Sequence, residues 1–185
     1  MLTTVNQSLP QLPVSGSLPA LAGALAAHHA AILHAPPGAG KSTLVPLALL
    51  PQPFIGNQTI LMLEPRRLAT RAIARRMSHL LGEPVGSRVG YRTRLETKVS
   101  RGTRIEVITE GILTRMLQDD PALDGIACVI FDEFHERSLN ADLGLALALD
   151  AREALDAQFR LLVMSATLDG ERIAALLQAP LVDVP

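Results

Sequence analysis

The sequence has one cysteine, no tryptophan, one tyrosine and four phenylalanines in 185 residues. Cys128 lies within the apolar run Ile126-Ala127-Cys128-Val129-Ile130-Phe131. Alone, it can form neither a disulfide framework nor a cysteine metal cluster, and it reads as a small buried hydrophobe. A reducing, cytoplasmic setting fits that usage. Aromatics, at 3%, offer no base-stacking platform that would point to RNA. Hydrophobic residues make up 48%, yet no apolar run approaches the ~20 residues that a membrane-spanning helix needs. Met1–Ser17 lacks a basic stretch ahead of an apolar core, so no secretory signal is expected there.

Net charge is also scarce, at −1, but it is unevenly spread. Residues 66–104 hold eleven of the seventeen Lys and Arg against only Glu83 and Glu96, a net +9, which leaves −10 elsewhere. Such a block suits a face for a polyanion; charge alone fits a solvated helix face and a charged loop equally well.

What is present begins with Ala35-Pro36-Pro37-Gly38-Ala39-Gly40-Lys41-Ser42-Thr43, between the apolar Ala31-Ile32-Leu33-His34 and Leu44-Val45-Pro46-Leu47-Ala48-Leu49-Leu50. That is strand, glycine loop, helix. Gly38 and Gly40 let backbone amides approach a polyphosphate, with the helix N-terminus behind them. Lys41 can reach the β- and γ-phosphates, and the Ser42 hydroxyl can ligate Mg²⁺. The usual pattern has glycine where this chain has Ala35.

Taken in order, Met1–Ser17 reads as an irregular or extended lead-in and Leu18–His29 as a helix. His28 and His29 are adjacent and cannot face one ligand from a helix, so neither is assigned to a metal. Pro46 is expected early in the helix after the glycine loop, where its missing N–H costs least. Thr59–Leu63, Val89–Arg92, Arg104–Ile108, Ile126–Phe131 and Arg160–Met164 read as strands, with Leu181–Val184 a last apolar stretch. Helices are expected from Arg67 to about Leu81, Ile112 to Leu117, Leu139 to about Leu155 and Asp169 to Leu177. The helix from Arg67 to about Leu81 should present Leu68, Ala72, Ile73, Met77 and Leu80 on one stripe. The basic stretch Arg94–Arg101 falls between two strands. Alternating strand and helix implies an α/β fold with a parallel sheet flanked by helices on both faces. In such sheets ligands bind beyond the carboxyl ends of the strands. The polar segments Glu64–Arg67, Thr109–Gly111, Asp132–Arg137 and Ser165–Thr167 all fall at that edge, with the glycine loop.

Asp132 and Glu133 end an apolar strand. In a nucleoside triphosphate site Asp132 can hold Mg²⁺, usually through water, and Glu133 can orient and deprotonate the attacking water. A helix-capping pair of acids is the plainer reading of the same residues. His135 is not required by phosphate chemistry; it can link the carboxylates to a neighbouring element that senses nucleotide state. Ser165 and Thr167 offer hydroxyls for such a link.

These segments together resemble the first RecA-like domain of superfamily 2 helicases of the DEAH/RHA type, a P-loop NTPase fold. Ala35–Thr43 resembles motif I, Glu64–Ala69 motif Ia, Thr109–Met116 motif Ib, Asp132–His135 motif II and Ser165–Thr167 motif III. Phe134 replaces the alanine of the name-giving motif. In that feature, and in Leu-Glu-Pro-Arg-Arg-Leu-Ala, the chain is similar to the bacterial HrpB-like subgroup. The resemblance covers residues 18–185.

It implies ATP-driven 3′→5′ translocation on single-stranded nucleic acid, RNA by the subgroup's habit. Gly38, Ala39, Gly40, Lys41, Ser42 and Thr43 would bind ATP and Mg²⁺, with Arg76 stacking on the base. Asp132 would hold the metal, Glu133 would be the base, and His135, Ser165 and Thr167 would couple hydrolysis to movement. Arg66, Arg67, Thr109 and Gly111 would touch the nucleic-acid backbone. The family uses a second RecA-like domain carrying arginine fingers, and no Gln-x-x-Gly-Arg-x-Gly-Arg-like segment follows Thr167. The chain is therefore expected to be the N-terminal motor half, nearly silent alone. A nucleic-acid-independent NTPase or kinase, and a non-catalytic module on the same fold, remain as alternatives at this stage.

Overall fold

The computed structural model describes residues 9–136, 138–167 and 170–184. Residues 1–8 of the lead-in, Arg137 of the acidic segment and Asp169, the expected start of the last helix, lie outside the described residues.

Eight strands form one sheet: β1 (Ala30–His34), β2 (Thr59–Leu63), β3 (Val89–Arg92), β4 (Thr97–Lys98), β5 (Ile105–Ile108), β6 (Ile126–Phe131), β7 (Arg160–Ser165) and β8 (Leu181–Asp183). Their order is β4-β3-β5-β2-β6-β7-β1-β8. The helices are α1 (Leu18–His28), α2 (Lys41–Leu49), α3 (Arg67–Leu80), α4 (Glu110–Asp119), α5 (Leu139–Ala154) and α6 (Gly170–Leu177).

Successive side chains of a strand point to opposite faces, and the apolar runs load both. Ile60, Met62, Cys128, Ile130, Leu162 and Met164 pack under α1–α3. Leu61, Leu63, Val129, Phe131, Leu161 and Val163 pack under α4–α6. Each fully buried Leu, Ile or Val contributes about 1.5–3 kcal/mol, so the central strands hold most of the fold's apolar stabilisation. Cys128 is fully buried, and desolvation pushes its thiol up to about 12.

Strand register brings the polar segments level. Leu63 pairs with Ile108 on one side and Phe131 on the other, and His34 pairs with Ser165. Glu64, Thr109 and Asp132 therefore each stand one residue past a matched strand end.

Four expectations need correction. The sheet is not wholly parallel: Thr97–Lys98 forms a short edge strand antiparallel to β3 inside the basic stretch. Pro46 is the sixth residue of α2, beyond the first turn, so the helix lacks the bond that a donor there would give the Ser42 carbonyl. Thr70, Ala74, Met77 and Ser78 form the buried face of α3, whereas Leu68 is 83% exposed and Ala72 is exposed. Docking on β3, β5 and α2 selects a face of small side chains, and Thr70 bonds its hydroxyl to the Arg66 carbonyl at 3.0 Å. Finally, Pro13–Ser17 of the lead-in is a 3-10 helix with Val14 fully buried.

Candidate active site

The glycine loop leaves β1 through Ala35, whose N–H donates to the Ser165 carbonyl at 3.0 Å. Ala35 is fully buried in the apolar layer, so its methyl fills core space where the usual pattern has glycine. Gly38 and Gly40 have φ of 80° and 89°. At Gly40 a Cβ would stand 2.5 Å from the Leu12 side chain, so conformation and space both require glycine there. The Ala39 N–H donates to Pro36 at 3.2 Å, and its carbonyl accepts from the Val14 N–H at 3.1 Å. The lead-in thus braces the loop from outside. Thr43 bonds its hydroxyl back to the Gly40 carbonyl at 3.3 Å and holds the first turn of α2.

Lys41, only 3% exposed, places its Nζ 2.9 Å from Glu133 Oε1. Glu133 adopts φ 49°, left-handed backbone that an L-residue with a Cβ takes at a cost of about 1–2 kcal/mol. Its other oxygen lies 3.3 Å from His135 Nε2. On the far side of the ring, His135 Nδ1 accepts the Ala166 N–H at 3.2 Å. With Nδ1 accepting, the neutral imidazole carries its proton on Nε2, toward Glu133. One chain of contacts therefore joins the glycine loop, Asp132–His135 and the turn after β7.

Asp132 is 3% exposed. Its Oδ1 accepts the Glu133 N–H at 2.9 Å, and its buried Oδ2 makes no hydrogen bond among the described residues. Burial pushes the carboxyl up to about 6, opposed chiefly by the Ser42 hydroxyl beside it. A buried carboxylate oxygen with no donor, next to a hydroxyl, is a donor set that fits a hard divalent cation.

The hydroxyls of Ser165 and Thr167 turn toward each other. Ser165 Oγ accepts the Thr167 N–H at 3.3 Å and lies 3.4 Å from Thr167 Oγ1. The bond to His135 comes instead from the backbone of Ala166. No sequence pattern marks an alanine amide, and only the turn geometry reveals it.

Glu64 is the second group that residue-type reasoning passed over. It is 1% exposed, and its Oε1 accepts from the Arg66 backbone at 3.2 Å and from Arg66 Nε at 3.5 Å. Desolvation, then the nearby Asp132 charge, pushes it up to about 7. Its signal was a carboxylate directly after the apolar run Ile60–Leu63, the same pattern that singled out Asp132. Arg66 Nη2 also lies 3.5 Å from Glu136. Arg67 opens α3, exposed; Thr109 occupies the cap position of α4, and Gly111 is exposed in its first turn. Arg76 is exposed on α3, and among the described residues no hydrogen bond or ion pair joins it to the glycine loop.

The basic block divides in two. Arg66 reaches Glu64 and Glu136, Arg71, Arg88 and Arg92 pair with Glu96, Glu83 and Glu106 at 2.9, 2.7 and 2.6 Å, and Arg104 donates to the Gly56 and Gln58 carbonyls. Arg67, Arg75, Arg76, Arg94, Lys98 and Arg101 stand exposed.

Comparison with known proteins agrees with this arrangement. The family model described as DEAD/DEAH box helicase matches residues 19–176. The chain is 53% identical over 175 residues to the ATP-dependent RNA helicase HrpB of Escherichia coli K12, covering 94% of this chain and 22% of that protein. It is 36% identical over 187 residues to the human ATP-dependent RNA helicase DHX30, covering 98% and 16%. The crystal structure of the Escherichia coli DEAH/RHA helicase HrpB superposes with a TM-score of 0.90 over 95% of this chain and 22% of that one. The chain thus spans a minor part of the relatives it matches. From its sheet, its site and these likenesses, this chain belongs to the DEAD/DEAH box helicase family.

Proposed function

We propose that this chain is the ATP-binding motor domain of an ATP-dependent RNA helicase, the first of two RecA-like domains, with residues 18–185 as the domain and the lead-in as its brace. The observation that carries the reading is the run Lys41–Glu133–His135–Ala166, which connects a phosphate loop to a catalytic carboxylate and to the following strand. Residues 38–43 cradle the triphosphate. Lys41 exchanges Glu133 for the β- and γ-phosphates and so frees that carboxylate. Glu133 then takes a proton from water as the water oxygen bonds the γ-phosphorus; the bond to the β-bridging oxygen breaks, releasing ADP and phosphate. Ser42 and Asp132 would hold Mg²⁺, which supplies charge neutralisation on the phosphate oxygens. His135 reports the state of Glu133 to the turn that Ser165 and Thr167 shape. Arg66, Arg67, Thr109 and Gly111 bind the backbone of single-stranded RNA, a contact that positions without reading sequence. Arg76 serves the nucleotide base together with the second domain.

A cytoplasmic setting fits; among the described residues no helix is long and apolar enough to cross a membrane. The nucleic-acid-independent NTPase is less favoured, because six cations stand exposed on and beside the elements that carry the site.

The test is ATP hydrolysis with and without single-stranded RNA and DNA, on this chain and on the longer protein that contains it, each beside Glu133→Gln. Stimulation of the longer protein by RNA, with the 185-residue chain almost silent, is expected. ATP turnover indifferent to every polynucleotide would replace this reading with the plain NTPase.

A further inference from the structure

Two side chains outside the reaction join the start of α4 to the end of the catalytic segment. Ser138 Oγ donates to Glu110 Oε1 at 2.6 Å and accepts the Ala141 N–H at 2.9 Å. A serine hydroxyl has one proton, and here it goes to Glu110 while a lone pair caps α5. Glu110 is the first residue of α4, between Thr109 and Gly111. Ser138 closes the segment that holds Asp132, Glu133 and His135. The two residues are 28 apart in sequence, so local folding does not explain their contact.

The helix bodies are held as firmly as their starts. α4 and α5 pack side by side, and a Cβ at Gly144 would stand 3.3 Å from Leu113 Cδ2. The absent side chain lets the helices approach. Glu110 and Ser138 also line a cavity of about 210 Å³ with Arg66, Asp132, Glu133 and Glu136. That cavity lies between the residues assigned to nucleic acid and those assigned to hydrolysis.

We propose that Glu110 and Ser138 are positioning residues that transmit nucleic-acid engagement at the start of α4 to the catalytic segment carrying Glu133. This rests on the function proposed above. Backbone phosphates drawn to Thr109 and Gly111 shift the N-terminus of α4. The Glu110–Ser138 bond passes that shift to residues 132–138, where Glu133 sits in left-handed backbone and a small rotation re-aims its carboxylate. Neither side chain touches the reacting atoms.

The experiment measures steady-state ATPase of the longer protein, with and without saturating single-stranded RNA, for wild type, Glu110→Ala, Ser138→Ala, Ser138→Thr and the double alanine variant. Ser138 also caps α5, so Glu110→Ala, which leaves that cap intact, is the decisive variant. Its RNA-stimulated kcat should fall on the order of tenfold, within the usual range of site-to-site coupling, with the unstimulated rate and the KM for ATP unchanged. Ser138→Thr should restore stimulation, and the double variant should lose no more than either single one. A wild-type ratio of stimulated to unstimulated rate in Glu110→Ala overturns the link, as does an equal loss in both rates or losses that multiply in the double variant. If wild type itself ignores RNA, the proposed function fails and takes the link with it.

Discussion

Glu133→Gln, the natural substitution for silencing hydrolysis, should also destabilise the nucleotide-free protein. Lys41 is 3% exposed and its ammonium has the Glu133 carboxylate at 2.9 Å. Removing one member of a buried ion pair costs about 3–5 kcal/mol, because the remaining charge stays out of water. Glu133 is 16% exposed and a glutamine oxygen can still accept from Lys41, so the loss should fall below that range, at about 2–3 kcal/mol. For a chain of this length each kcal/mol moves the melting temperature by roughly 2–4 °C, giving about 4–12 °C. The inverse change, Lys41→Met, should cost less, because Glu133 keeps His135 Nε2 at 3.3 Å and some solvent. Thermal unfolding followed by circular dichroism, with and without saturating Mg²⁺-ATP, reads both. Nucleotide should narrow the gap between wild type and Glu133→Gln, since phosphate becomes the partner of Lys41. The reasoning is refuted if Glu133→Gln melts with wild type in the absence of nucleotide, or if Lys41→Met is the costlier change.

The acids at the site set a pH dependence. Glu64 is raised to about 7 from 4.5 and Asp132 to about 6 from 3.8, so the folded state holds both protons more tightly than the unfolded state does. Their contribution to stability is full below the unfolded values and is lost as pH rises through the folded ones, on the order of 3 kcal/mol each. Glu64→Gln should therefore gain stability over wild type at pH 8 and lose that advantage near pH 4; chemical denaturation across the range checks it, and a parallel pair of curves would count against the buried acid. Gly40→Ala places a Cβ on left-handed backbone, at about 1–2 kcal/mol, and drives it against Leu12. Its melting temperature should fall, and adding Leu12→Ala should recover only the steric part, which differential scanning calorimetry can resolve.

Much of this site could be read from the chain because backbone chemistry dictated it. Gly38 and Gly40 announced a loop whose backbone can approach a polyphosphate, and apolar runs ending in Asp132, Thr109 or Ser165 announced strands whose ends carry chemistry. What escaped the sequence depended on contacts made across the fold. The buried face of α3 was chosen by the elements it docks on, so Leu68 points outward although its spacing favoured the interior. The partner of His135 is an amide that every residue type but proline offers. The link from Ser138 to Glu110 joins two residues whose types promise only a helix cap and a first-turn acid. Charge counting overstated the basic face, because five arginines of the block, Arg66, Arg71, Arg88, Arg92 and Arg104, lie against acids or carbonyls within the domain.

The position of β1 between β7 and β8 has a consequence for how the protein is made. The strand that leads into the glycine loop emerges early, but its sheet neighbours are residues 160–165 and 181–183. At about 5–20 residues per second, synthesis leaves it without one or both neighbours for roughly 6–30 s. Ala31, Ile32 and Leu33, all fully buried in the finished sheet, are exposed through that interval. Closure comes with the last strand, when Asp183 meets His34 Nδ1 at 2.7 Å and the Val184 N–H reaches the His34 carbonyl. The glycine loop that follows β1 therefore gains its full sheet support only after residues 160–165 and 181–183 have been made. A nascent chain halted before residue 160 would present an apolar strand with neither neighbour, a ready target for chaperones and for aggregation.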